Sequence, residues 1–137
     1  MPRTIRAVDY FYIRIDDKPG EACRVLKTLS DHGVNLLAFH IIPGTMKSTQ
    51  LAIFPDNPEA MIAALDGSGL DLVGPNRALL IQGDDELGAL VDIHRRLYDA
   101  GINIASSSGI TDGLQGFGYV IYLRTEDIDR AFSLLEA

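Results

Sequence analysis

The chain has 137 residues, 47% of them hydrophobic, which is apolar material for one ordinary domain or two very small ones. Its formal net charge of -7 argues against a sequence-independent hold on nucleic acid or on an anionic membrane surface, both of which call for clustered Lys and Arg. No apolar run approaches the roughly 18 residues of a spanning helix, the first seven residues carry no apolar leader, and the single cysteine, Cys23, allows no internal disulfide; we therefore expect a cytoplasmic protein.

Taken in chain order, Val8–Ile15 is rich in aromatic and β-branched residues and predicts a strand. Asp16 or Asp17 is placed to cap a helix starting near Pro19, whose missing N–H costs nothing at a first helical position. Ala22, Val25, Leu26 and Leu29 follow at helical spacing, and Gly33 supplies a left-handed stop. Val34–Ile42 predicts a second strand, Pro43-Gly44 a turn, and Ser48–Phe54 a third strand. Asn57 and Pro58 open a short helix through Leu65 as cap and first residue. Leu70–Val73 then completes a βαββαβ unit, and Gly74-Pro75-Asn76 reads as its closing turn. A second series follows: strand Arg77–Gln82, helix Leu87–Asp99, strands Ile102–Ile110 and Phe117–Leu123, and helix Ile128–Leu135.

The two series are related by an offset of 68. Aligning 16–64 with 84–132 gives ten identical pairs, among them Gly20/Gly88, Gly33/Gly101 and Asn35/Asn103, where chance would give about three. The expected fold is therefore α+β: two tandem ferredoxin-like βαββαβ repeats with antiparallel sheets and helices on one face, covering 1–75 and 76–137. By the same offset the second repeat lacks its last strand, which leaves the 77–82 edge unpaired unless another chain or the segment 1–7 covers it.

The turn after each first strand carries an acidic pair and then a Gly at the head of a helix. Helix-end N–H groups suit a carboxylate and a neighbouring Asp suits an ammonium, so Asp17 with Gly20 and Asp85 with Gly88 suit a zwitterion. The plainer alternative is that Asp17 and Asp85 are ordinary caps. Asn35 and Asn103 open the second strands, where turn chemistry alone could account for them. Ala38-Phe39-His40-Ile41 corresponds to Ser106-Ser107-Ser108-Gly109, so the two halves should offer different sites. Ser107 and Ser108 bring room and hydrogen-bonding capacity, or are simply exposed strand residues. Of the histidines, His40 alone is a site candidate. His94 is expected to be partly buried or beside an interface, Cys23 to pack as a small apolar residue, and the Tyr98 and Tyr119 hydroxyls to reach the surface.

No nucleophile with its base, carboxylate pair or phosphate loop is legible; Gly113–Gly118 lies between strands and reads as a hairpin. An enzyme would need a catalytic pair assembled by folding, such as His40 with Asp85. No metal or cofactor is expected.

The order of elements, Asp16-Asp17-Lys18-Pro19-Gly20, and the Gly33-Val34-Asn35-Leu36 and Gly101-Ile102-Asn103-Ile104 segments together resemble the ACT domain, the regulatory amino-acid-binding module of many biosynthetic enzymes. The resemblance runs from about Asp9 to the end, as two copies. It implies side-by-side pairing of units, with effectors held between one unit's first turn and a neighbour's second strand. On matching positions it implicates Asp17, Lys18, Pro19, Gly20 and Asn35, and in the other copy Asp85, Glu86, Leu87, Gly88 and Asn103. It further implies a homodimer that binds an amino acid and, with no catalytic domain attached, acts on itself or on a separate enzyme or regulator. The alternative is a protein-interaction module that works through the open sheet edge with no small ligand.

Overall fold

The computed structural model describes residues 3–43 and 48–136. Six strands, β1 (Thr4–Asp16), β2 (Leu36–Pro43), β3 (Ser48–Pro55), β4 (Leu72–Asp84), β5 (Ser106–Thr111) and β6 (Gly116–Tyr122), alternate with four helices, α1 (Glu21–Asp31), α2 (Pro58–Leu65), α3 (Ala89–Asp99) and α4 (Ile128–Glu136). The hydrogen-bonded strand order is β2-β3-β1-β4-β6-β5. The chain divides into two compact units, Asp9–Asn76 and Met1–Val8 with Arg77–Ala137, so β1 and β4 each serve both. Of the expected Pro43-Gly44 turn, Pro43 ends β2 and Gly44 lies outside the described residues.

In the 9–76 unit, Phe11, Ile13 and Ile15 alternate along β1 and present one face to the helices. Val25 and Leu29 of α1 and Met61 and Leu65 of α2 close over that face, each almost wholly buried. Full burial of such a side chain contributes about 1.5–3 kcal/mol. Tyr10, pointing the other way, stacks on Phe54 at 4.9 Å between ring centroids. Asn57 caps α2 as expected, its side chain accepting from the Ala60 amide at 3.2 Å, with Pro58 at the first position.

In the 1–8 and 77–137 unit, Leu79 and Ile81 of β4 and Tyr119 and Ile121 of β6 face Ile93 and Leu97 of α3 and Ile128, Ala131 and Leu135 of α4. The offset of 68 recurs in the pairing: Phe11 lies opposite Ile53 in β1/β3, and Leu79 opposite Ile121 in β4/β6.

Several expectations differ from the structure, among them the start of β5, which is Ser106 rather than Ile102. Of the two coverings left open for the 77–82 edge, the N-terminal segment is the one found, and the edge is therefore not the open one that the interaction-module alternative called for. Ile5 and Ala7 pack against the second core, the Thr4 hydroxyl donates to the Gln82 carbonyl at 3.4 Å, and Arg6 donates to the Gln82 side chain at 3.3 Å. Residues 3–8 thus belong with 77–136 rather than with the first repeat. Nor is Gly74-Pro75-Asn76 a turn: β4 runs through it as one strand of 13 residues. Gly74 sits there at φ 141, where a Cβ would stand 3.0 Å from the Tyr10 carbonyl oxygen, so the close approach of β1 accounts for the glycine. Finally, α1 and α3 begin at Glu21 and Ala89, two residues later than read. Their caps are Gly20 (φ 90) and Gly88 (φ 83), with no side-chain bond, so neither Asp17 nor Asp85 caps a helix.

Candidate functional site

The turn 17–20 of the 9–76 unit is exposed throughout. The Lys18 amide donates to the Asp16 carbonyl at 3.0 Å, and the Lys18 ammonium lies 3.6 Å from Glu21. Glu21 is also bound by Arg24 at 3.0 Å, and that hydrogen bond leads the effects holding its carboxyl below the usual value. Asn35 is exposed and its carbonyl accepts from the Asp56 amide at 2.9 Å, joining the start of β2 to the end of β3. His40 is exposed on β2 opposite Ala52. Asp17, Pro19 and Gly20 are therefore solvated, and Lys18 spends its charge on Glu21.

The other unit assembles more. The Asp85 amide donates to the Gln115 carbonyl at 2.7 Å, anchoring the 85–88 turn against the β5–β6 hairpin. Gly88 then turns the chain through the left-handed region into α3. Between this turn, the first residues of α3 and β5 lies an open cleft of about 660 Å³, within the range of small-molecule sites. Asp85, Glu86, Leu87 and Gly88 form one wall with Ala89, Leu90 and Val91, while Gly109, Ile110 and Thr111 of β5 and Phe117 and Gly118 of β6 form the other. No side chain caps α3, and the Ala89 amide already donates to the Glu86 carbonyl at 3.0 Å, so the Leu90 and Val91 amides are the ones an acceptor in the cleft would meet. The four residues singled out from the turn are thus brought together. Asn103, exposed between α3 and β5, is not on the cleft walls.

Ser107 and Ser108 precede the cleft on β5, and Ser107 has a partner that the sequence did not suggest. The Tyr119 hydroxyl donates to Ser107 Oγ at 2.8 Å and lies 2.6 Å from His94 Nε2. The tyrosine hydroxyl thus bridges the serine and the imidazole, since a hydroxyl both donates and accepts. Tyr119 is buried, whereas its hydroxyl was expected at the surface, and His94 and Ser107 are exposed at either end of the chain of bonds. Cys23 is likewise exposed rather than packed. Beside the cleft, burial works against the Asp92 charge, but hydrogen bonds and charge from Arg3 (2.9 Å) and Arg96 outweigh it and hold the carboxyl below its usual value. Among the described residues no group of three His, Cys, Asp or Glu could hold a metal ion.

Sequence reasoning missed Leu90, Val91, Ile110, Thr111, Phe117 and Gly118 as wall residues. Two signals for them were present: a glycine interrupting a strand at 109, and an apolar residue at 91, outside the 93/97 core spacing of the helix.

The sequence matches no protein-family model and no curated protein. Solved structures match over nearly the whole chain. Protein BT0572 from Bacteroides thetaiotaomicron aligns with a TM-score of 0.83 at 18% identity, covering 96% of this chain and 88% of that one. The regulatory subunit of aspartate kinase from Thermus thermophilus aligns with a TM-score of 0.68 at 16% identity, covering 97% and 93%. The corresponding subunit from Thermus flavus gives 0.61 at 16%, covering 98% and 95%. At these identities the likeness carries the fold alone, an α+β fold with six strands and four helices that this chain shares with those aspartate kinase regulatory subunits.

Proposed function

We propose that this chain is a non-catalytic regulatory protein, built as two ACT-like repeats, that binds an amino acid in the cleft between the Asp85–Gly88 turn and β5. The observation that carries the reading is the meeting, in one concave site, of a carboxylate-bearing turn, an uncapped helix start and an edge strand. Asp85 and Glu86 offer acceptors to an ammonium, and the α3 amides offer donors to a carboxylate. The fold shared with regulatory subunits of aspartate kinase supports a regulatory role. Ligand binding would favour whichever assembly or partner contact completes the site, a homodimer or a separate enzyme or regulator being the expected output. The corresponding turn 17–20, with Asn35 and His40, belongs to the proposal as a second, less enclosed position. None of the helices is long and apolar enough to cross a membrane, and a lone exposed Cys23 suits the reducing cytoplasm in which we place the protein.

A ligand that binds only the folded state raises its stability by about 2.7 kcal/mol at a hundredfold excess over Kd. Thermal unfolding with each of the twenty amino acids at millimolar concentration should therefore show a rise with one or a few related ones. A midpoint unmoved by all twenty would overturn the reading and favour an interaction module working through β5, the edge strand of this unit.

A further inference from the structure

We infer that the amino acid held in this cleft has an uncharged, apolar side chain, an inference that rests on the function proposed above. The cleft walls are two-ended. Asp85 and Glu86 are adjacent in sequence and put the only charged side chains on the wall at the turn. Among the described residues no basic side chain lines the cleft; Arg3, which reaches the small hollow adjoining it, is held by Asp92 at 2.9 Å. A second carboxylate on the ligand would therefore meet no cation, and would face the repulsion of Asp85 or Glu86 wherever it approached the turn.

Away from the turn the walls are hydrocarbon. Leu87, Leu90, Val91 and Ile110 are 107%, 42%, 58% and 78% exposed, and they are four of the nine large apolar side chains exposed among the described residues. Scattered single exposures need no explanation, but four gathered around one concavity with Phe117 at its base mark a surface shaped for an apolar occupant. A lysine side chain would have to leave its ammonium on this hydrocarbon or crowd it beside the α-ammonium at the turn. Either choice costs more than it gains.

Glycines keep the floor open. A Cβ at Gly118 would meet nothing within 4 Å, and one at Gly109 would stand 3.0 Å from the Tyr119 ring, so the ring itself is the surface under that strand. The positions 68 residues earlier hold Gln50 and Ile41 rather than glycines, so an apolar site of this kind is expected in this unit alone.

The test is titration calorimetry of the full chain with leucine, isoleucine, valine, methionine and phenylalanine against aspartate, glutamate, lysine and arginine. Burial of an aliphatic side chain should make at least one apolar ligand bind about tenfold or more tighter than any charged one, with one site per chain. Val91→Asp and Ile110→Asp alter exposed side chains and should leave the unfolding transition in place, yet weaken the apolar ligand about tenfold or more. Aspartate, glutamate, lysine or arginine binding tightest would overturn this inference and leave the amino-acid reading standing. Binding of an apolar ligand unchanged by both substitutions would also overturn it, by moving the ligand out of the cleft. No heat with any amino acid would overturn the reading on which it rests.

Discussion

Tyr119→Phe isolates the chain of hydrogen bonds that ties β5 to α3. The substitution keeps a ring that is 4% exposed and removes one oxygen, so it opens no cavity worth counting; what it removes is the hydroxyl bonded to Ser107 at 2.8 Å and to His94 at 2.6 Å. Each intramolecular bond of this kind contributes about 0.5–1.5 kcal/mol net. His94 and Ser107 are exposed and can turn to water, so neither is left as a buried orphan, and the loss should be about 1–2 kcal/mol. Ser107→Ala breaks only one bond and should cost about 1 kcal/mol. Because the second bond of the pair is already gone in Tyr119→Phe, the double variant should be no less stable than Tyr119→Phe alone. Urea denaturation of the four proteins in the cycle measures this directly, with the slope m held as a check that the unfolded states match. Losses that simply add, or a cost for Tyr119→Phe under about 0.3 kcal/mol, would mean that the hydroxyl does not hold the strand.

Leu29→Ala and Leu97→Ala remove side chains that are each 1% exposed at positions 68 apart, and each should cost about 2–5 kcal/mol by denaturant unfolding; a loss under about 0.5 kcal/mol at either would contradict its burial. Acid should unsettle the β5–β6 hairpin through Asp112, whose carboxyl is held below 3.8 chiefly by the backbone amides of Leu114 and Gly116. A carboxyl lowered in the folded state contributes stability above its unfolded value and loses it as pH falls through the folded one. Stability of the native chain should therefore fall more steeply than that of Asp112→Asn as pH drops below 3.8, and parallel curves would refute the assignment.

Elements with strong local signals were legible in the sequence. Val25 and Leu29, like Ile93 and Leu97, sit at helical spacing, and the Asn57-Pro58 start carries its own cap chemistry. The boundaries that failed are those where a distant segment decides the outcome. Gly74-Pro75-Asn76 has turn composition, but β1 passing close to Gly74 keeps it extended, and no local window contains β1. The destination of residues 3–8 depends on Gln82 and on a core assembled from β4, β6, α3 and α4. At the site, the turn 85–88 was legible because glycine and acidic residues have chemistry of their own. The opposite wall was not, because Ile110 and Phe117 announce only apolarity until the fold leaves them facing a cleft.

The offset of 68 shows why the two halves, so alike in backbone pairing, differ at this place. His94, Ser107 and Tyr119 stand where the first half has Leu26, Phe39 and Leu51. All three positions are polar in one half and apolar in the other. A buried tyrosine hydroxyl without partners would be costly, and Ser107 and His94 supply those partners. In the first half Phe39 packs against the core that contains Leu51, and β2 is held there by hydrocarbon. In the second, every residue of β5 is exposed, and among the side chains of Ser106–Gly109 it is the Ser107 hydroxyl that reaches the buried Tyr119. Gly109 and Gly118 of these strands lie on the walls of the cleft beside α3, where the first half has Ile41 and Gln50. The second half thus differs from the first in its polar trio and has a cleft between the 85–88 turn and β5, which is the physical reason to look for a ligand there first.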